Sequence, residues 1–240
     1  MAILIGSGTN RLTATPTLSV PLSFGCWFRV SDVDGRIMIV GASSGESASL
    51  AIRADGNAVG NPLKAMSNGS TVATTSNGFT ADTWQHGLLV ANTTSDIRIY
   101  VNGGGKGTGG AGAAITPTQI SMPTNGTANQ TYLAEAAVWL AALTDEEALS
   151  LSKGISPMLI RPNALAFYSP LIRDVIDFRG ASISTTGSVS VADHPRAYYP
   201  SFVHLSVPDA PDEVSVSAVS TLALSSSAAL SQLSLTAQNS

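Results

Sequence analysis

Trp84-Gln85-His86-Gly87-Leu88-Leu89-Val90-Ala91 and Ile97-Arg98-Ile99-Tyr100-Val101 are two apolar runs in close succession, and the second closes on Asn102-Gly103. Asn-Gly readily takes the positive φ values a tight hairpin requires, so this stretch predicts a pair of antiparallel strands. The same grammar extends in both directions. Leu22, Phe24, Cys26 and Phe28 alternate with Ser23, Gly25, Trp27 and Arg29, the period of a half-buried strand. Ile37-Met38-Ile39-Val40 is apolar on both faces and suits a central strand under a second layer. Ala48 to Arg53 runs into Asp55-Gly56, and Leu63 to Met66 runs into Asn68-Gly69 and out through Thr71 to Thr75. Tyr132 to Leu140 predicts a long buried strand carrying Trp139. Leu165 to Tyr168 and Ser182 to Val191, the latter alternating around Gly187, predict further strands.

Two segments depart from this pattern. Residues 103–112 are mostly glycine, lack the Gly-Lys-Ser/Thr ending of a phosphate-binding loop and precede no helical pattern, so they predict a flexible hairpin tip. Thr144-Asp145-Glu146-Glu147 is a capping box, with three acids at the positive end of a helix dipole, an apolar side of Ala148, Leu149 and Leu151, and Gly154 at the exit. Capping accounts for these acids without a catalytic or metal-binding role. Many short strands and one short helix predict an all-β, antiparallel β-sandwich.

Composition narrows the function. Only 12% of the 240 residues are charged, the net charge is -4, and there are 12 Lys and Arg. Such a chain is a poor candidate for nucleic acid, whose binding depends on clustered cations. No stretch approaches the ~18 apolar residues of a membrane helix. The N-terminus lacks the basic and apolar regions of a signal peptide, so synthesis in a cytoplasm is expected. Cys26, the single cysteine, lies in an apolar run and reads as a small buried hydrophobe.

The last charged residue is Glu213. Beyond it Val214, Val216 and Ala218 alternate with serines, as do Leu222 and Leu224, followed by Leu230, Leu233 and Leu235. One or two strands fit this pattern, and so does a helix from Ala218 to Leu233. These eight residues are the expected assembly contacts of an extended C-terminal arm, since an uncharged strand can add to a neighbour's sheet edge. The expected organisation is an N-terminal strand or arm over 1–17, a sandwich domain over 18–206 and the arm over 207–240.

The Trp84 to Val90 strand, the Ile97 to Gly103 hairpin, Leu133 to Trp139 running into Leu143-Thr144-Asp145-Glu146-Glu147, and Phe24-Gly25-Cys26-Trp27-Phe28 occur in an order that resembles the laminin-G-like, concanavalin A-like jelly-roll superfamily. The resemblance covers roughly residues 18–155. It implies a jelly roll in which Trp27, Trp84 and Trp139 pack in the core, the alternative being that they serve as sugar-stacking platforms. Ile155 to Pro162, Ala166 to Leu171 and Ala192-Asp193-His194-Pro195 are similar to the ends of such modules in bacteriophage proteins.

The superfamily includes glycoside hydrolases, which need two carboxylates on one sugar bond. No Glu-x-Asp-x-Glu run exists here, and Glu135 is alone on its strand. No histidine lies near a Gly-x-Ser-x-Gly elbow; His86 reads as a hydrogen-bonded strand residue near the sheet surface and His194 as a loop residue. The chain is therefore expected to be non-enzymatic. Its expected role is structural, in a bacteriophage-like virion, as a module displayed on capsid or tail and anchored by its arm. Its partners would be other virion proteins and copies of itself. The alternative is a lectin-like adhesion module for host-surface glycans, with Asp32, Asp34, Asp55, Asn57 and Asn125 as candidate contact loops. No cofactor is expected, and Ca²⁺ is the ion such Asp and Asn loops could hold.

Overall fold

The computed structural model describes residues 2–5, 10–31, 34–43, 47–110, 112, 114–122, 131–172 and 174–199. The strands are β1 (Ala2–Ile5), β2 (Arg11–Ala14), β3 (Leu22–Arg29), β4 (Asp34–Gly41), β5 (Ser49–Asp55), β6 (Pro62–Ser67), β7 (Ser70–Gly78) and β8 (Gln85–Thr93). They continue with β9 (Asp96–Val101), β10 (Gly104–Gly109), β11 (Gln119–Met122), β12 (Thr131–Trp139), β13 (Leu165–Ser169), β14 (Ile183–Thr186) and β15 (Val189–Ala192). Helix α1 spans Asp145–Ser152, and a single 3-10 turn follows at Pro157–Leu159.

Two antiparallel sheets form the sandwich. The larger runs β10-β9-β8-β3-β12-β1-β15, with β13 also paired to β12. The smaller runs β14-β2-β11-β4-β5-β6-β7. Residues 2–5 and 11–14, read from sequence as an N-terminal strand or arm, contribute one strand to each sheet. The even residues of β3 (Leu22, Phe24, Cys26 and Phe28) face the smaller sheet and are fully buried. Burying each Phe contributes about 1.5–3 kcal/mol. Burial also pushes the Cys26 thiol pKa well up, so it stays protonated and inert. The doubly apolar stretch of β4 has both faces covered, because Ile39 packs with Ala51 and Met66 on the outside of the smaller sheet.

Both Asn-Gly hairpins take left-handed backbone, with φ of 49° and 80° at Asn68-Gly69 and 52° and 71° at Asn102-Gly103. The glycine run is not a free hairpin tip. Residues 104–109 are β10, paired to β9 at the edge of the larger sheet. A Cβ at Gly107 would come within 2.1 Å of the Thr74 carbonyl oxygen, and one at Gly109 within 1.7 Å of that of Val72. Glycine lets the backbones of β10 and β7 meet where the two sheets close. The alternation from Ser182 to Val191 is likewise two strands, because the chain turns at Gly187 (φ 77°). β14 joins the smaller sheet beside β2, and β15 the larger beside β1.

One edge of β12 is shared. β1 pairs with Thr131 to Leu133 and β13 with Ala136 to Trp139, while β3 lines the opposite edge. A bulge interrupts the pairing with β3 between Ala134 and Ala137, and Glu135 within it has φ 54°.

Candidate functional site

The outer face of the larger sheet divides into a covered half and an open half. In the covered half, Leu88, Val90, Tyr100, Trp139 and Tyr168 pack beneath Ala148 and Leu151 of α1. Trp139 Nε1 donates to the Ile160 carbonyl at 2.7 Å. Ser23 Oγ donates to the Ala141 carbonyl at 2.7 Å and accepts from the Leu143 amide at 3.0 Å, fixing the link from β12 to the helix. The capping box forms: the Thr144 amide donates to Glu147 at 2.7 Å and the Glu147 amide to Thr144 Oγ1 at 3.3 Å. Tyr100 Oη donates to Asp145 at 2.7 Å, and Lys106 Nζ reaches the same carboxylate at 2.9 Å. Burial and the Asp145 carboxylate push the Tyr100 phenol up to about 12.

Glu135 marks the boundary. The bulge turns its side chain into a buried site, where it is only 2% exposed. Tyr168 Oη donates to Oε2 at 2.7 Å, Tyr199 Oη donates to Oε1, and His194 Nε2 lies 3.2 Å from Oε1. His194 Nδ1 lies 2.6 Å from the Pro195 carbonyl oxygen, so both ring nitrogens face acceptors, as an imidazolium requires. Burial opposes that charge, but the Glu135 carboxylate and the carbonyls of Pro195 and Pro170 raise the His194 pKa above its ordinary value. Burial and the carboxylate push both phenols well up, so they stay protonated donors. Among the described residues no second carboxylate joins Glu135; two phenols and an imidazole do. Its partners lie 33 to 64 positions downstream, beyond the reach of any local pattern.

Beyond Glu135 the face is open among the described residues. Arg29 stands between two rings, its guanidinium carbon 3.9 Å from the Tyr132 centroid and 5.6 Å from that of Trp84. Those rings meet edge-on at 6.5 Å. Trp27 pairs with His86 across β3 and β8, with ring centroids 5.7 Å apart, and lies opposite Ala134 on β12. Trp27, Arg29, Trp84 and Tyr132 are all half-buried. The core position expected for three tryptophans therefore holds for Trp139 alone. His86 also differs from expectation. Its side chain is 3% exposed, its Nδ1 is sealed without a partner, and burial lowers its pKa to about 3. Its backbone amide, rather than its ring, makes the hydrogen bond, to Asn102 Oδ1 at 2.9 Å. Trp84 Nε1 is likewise sealed without a partner. Such orphaned groups cost about 1–3 kcal/mol each, so their presence on one face calls for an explanation.

The candidate loop acids lie elsewhere. Asp34 and Asp55 face each other across β4 and β5. Arg53 binds Asp34 through two nitrogens, which holds that carboxyl below the usual range, and Lys64 pairs with Asp55. Asn57 is an exposed turn residue. Asp32 and Asn125 lie outside the described residues, as do the expected assembly contacts Val214, Val216, Ala218, Leu222, Leu224, Leu230, Leu233 and Leu235. Among the described residues, no three His, Cys, Asp or Glu side chains come together as a metal site would require. A cleft of about 140 Å³ is lined, among the described residues, by Val20, Leu50, Ala91, Ile97, Ala114 and Ile115 with two threonines and by no charged group.

Comparison with known proteins agrees with this architecture. Residues 6–148 match the family model described as the concanavalin A-like lectin/glucanases superfamily, and the chain belongs to that family. Among solved structures, a heptameric SAP-like pentraxin from Limulus polyphemus superposes with a TM-score of 0.58 at 14% identity, covering 80% of this chain and 95% of the pentraxin. A putative carbohydrate binding protein from Bacteroides ovatus superposes with a TM-score of 0.54 at 17% identity, covering 82% of this chain and 62% of its own. At these identities the likeness is one of fold. No curated protein sequence matches the chain.

Proposed function

We propose that this member of the concanavalin A-like lectin/glucanase superfamily is a non-catalytic carbohydrate-binding module that works through the open half of its larger sheet. The observation that carries the reading is the row of half-buried Trp84, Arg29 and Tyr132 beside Trp27. The C–H face of a pyranose packs well on aromatic rings, and polar groups at the ring edges fix its orientation. Hydrolysis would need a second carboxylate opposite Glu135. The groups that meet Glu135 are instead two phenols and an imidazole, and its carboxylate is sealed from solvent. The neighbour named as a putative carbohydrate binding protein shares the fold and is consistent with this reading.

A glycan array followed by calorimetry tests it. Saturable binding that survives a chelator and is lost in a Trp84→Ala, Tyr132→Ala double variant is the expected result. Binding to no glycan, or binding that ignores the double substitution, would refute it.

A second reading concerns location and draws on the 27 uncharged residues from Val214 to Ser240. We propose that the module is displayed on the capsid or tail of a bacteriophage-like virion and held there by residues 207–240. Val214, Val216, Ala218, Leu222, Leu224, Leu230, Leu233 and Leu235 would bury apolar surface against neighbouring virion proteins or further copies of the chain. Deleting residues 207–240 should abolish incorporation into the particle while leaving glycan binding unchanged. Full incorporation of the truncated chain would rule the anchor out.

A further inference from the structure

We propose that the open face selects acidic sugars, with Arg29 receiving the carboxylate or sulfate of a residue stacked on Trp84, Tyr132 and Trp27; this rests on the carbohydrate-binding reading. The motivating feature is a cation without an anion. Arg53, Lys64, Arg98, Lys106 and Arg161 each have an Asp or Glu within ion-pair distance. Arg29, like Arg11, Lys153, Arg179 and Arg196, has none among the described residues; what sets Arg29 apart is its place between two rings, Tyr132 and Trp84. Stacking orients a guanidinium while leaving its N–H groups available to a planar, charged acceptor. In a chain of net charge -4, an uncompensated Arg amid aromatic rings is a specific feature rather than part of a general basic surface.

The surroundings set the ligand class. Trp84 precedes β8, while Arg29 and Tyr132 lie on β3 and β12, so the row crosses two strand spacings, about 10 Å. That span suits one or two sugar rings lying flat. His86 beside Trp27 adds no second charge, because burial keeps it neutral. One fixed cation among stacking surfaces matches a saccharide with one acidic group per residue. An acidic peptide offers the charge but no flat C–H face to lie on the rings.

The test is calorimetric titration with oligogalacturonate, a heparin-derived oligosaccharide, cello-oligosaccharide and polyglutamate. The proteins are the full chain, Arg29→Gln, Arg29→Lys and Trp84→Ala, each checked for an unchanged thermal transition. We expect an acidic oligosaccharide to bind, to weaken as salt rises, and to lose roughly tenfold or more in affinity in Arg29→Gln, the size of a charge-assisted hydrogen bond. Arg29→Lys should recover part of that loss, and Trp84→Ala should weaken acidic and neutral ligands alike. If cello-oligosaccharide binds as tightly as the acidic probes and Arg29→Gln changes neither, the acid preference is overturned while the carbohydrate reading stands. If no saccharide binds, both fall. If polyglutamate binds as tightly as the sugars, the face is a peptide surface and the inference is wrong.

Discussion

The covered and open halves of the larger sheet's outer face use the same strands and similar residues, yet among the described residues only one has a roof. Tyr100, Trp139 and Tyr168 are at most 1% exposed beneath α1 and its flanking turns. Trp27, Trp84 and Tyr132, on the same strands or beside them, remain half-buried. The difference arises from the chain beyond β12, which doubles back through α1 and β13 over one end of the sheet. Two tryptophans of the larger sheet therefore have different roles. Trp139 reaches a carbonyl in the roof, whereas Trp84 has an indole nitrogen with no partner. An aromatic residue on a strand is thus core or contact surface according to what crosses above it.

This contrast predicts unequal responses to substitution. The largest effect should come from Glu135→Ala at the boundary. It removes the counter-charge of His194 and strands the buried Tyr168 hydroxyl, and urea denaturation should report a loss of about 3–5 kcal/mol. Gly107→Ala should follow, at about 1–3 kcal/mol, since its methyl group would press on the Thr74 carbonyl and part the two sheets. Thr144→Ala removes the helix cap that starts the roof and should cost about 1 kcal/mol, with no change in glycan affinity. Arg29→Gln, on the open half, should lie within about 0.5 kcal/mol of the parent in the same assay while altering binding. A stability loss from Arg29→Gln as large as that from Thr144→Ala would erase the distinction between the halves.

The subtlest effect is a pH dependence at the boundary. The folded-state pKa of His194 lies above its ordinary 6.5. Its interaction with Glu135 therefore contributes stability that is fully present below about 6.5 and is lost as pH rises through the folded-state value. Thermal melts should show this decline over neutral to mildly alkaline pH, and His194→Gln should flatten it. A decline of equal size in the variant would assign the dependence to another group.

Much of the fold is legible in short-range pattern. The alternation of β3, the doubly apolar β4, both Asn-Gly hairpins and the capped helix depend on residues within a few positions of each other, and the structure places each as expected. The glycine run was misleading because its meaning depends on β7, about thirty positions earlier, whose backbone it touches. The site was less legible for the same reason. Arg29, Trp84 and Tyr132 come from three distant segments, and nothing near any of them signals the other two. Local sequence shows none of the partners of Glu135, because Tyr168, His194 and Tyr199 are recruited by the fold. Composition singles out the loop acids, yet Asp34 and Asp55 are neutralised by neighbouring cations.

The placement of β1 constrains how the molecule is made. Ile3 pairs with Leu133 on one side and with Val191 on the other. Contacts at such separation carry a high loop-closure cost and slow folding. During translation at about 5–20 residues per second, the first strand waits roughly 10–40 s for its second neighbour to be synthesised. Through that interval its apolar residues lack their final cover, so a chaperone that shields this strand on the nascent chain should raise the yield of native protein more than one acting after release.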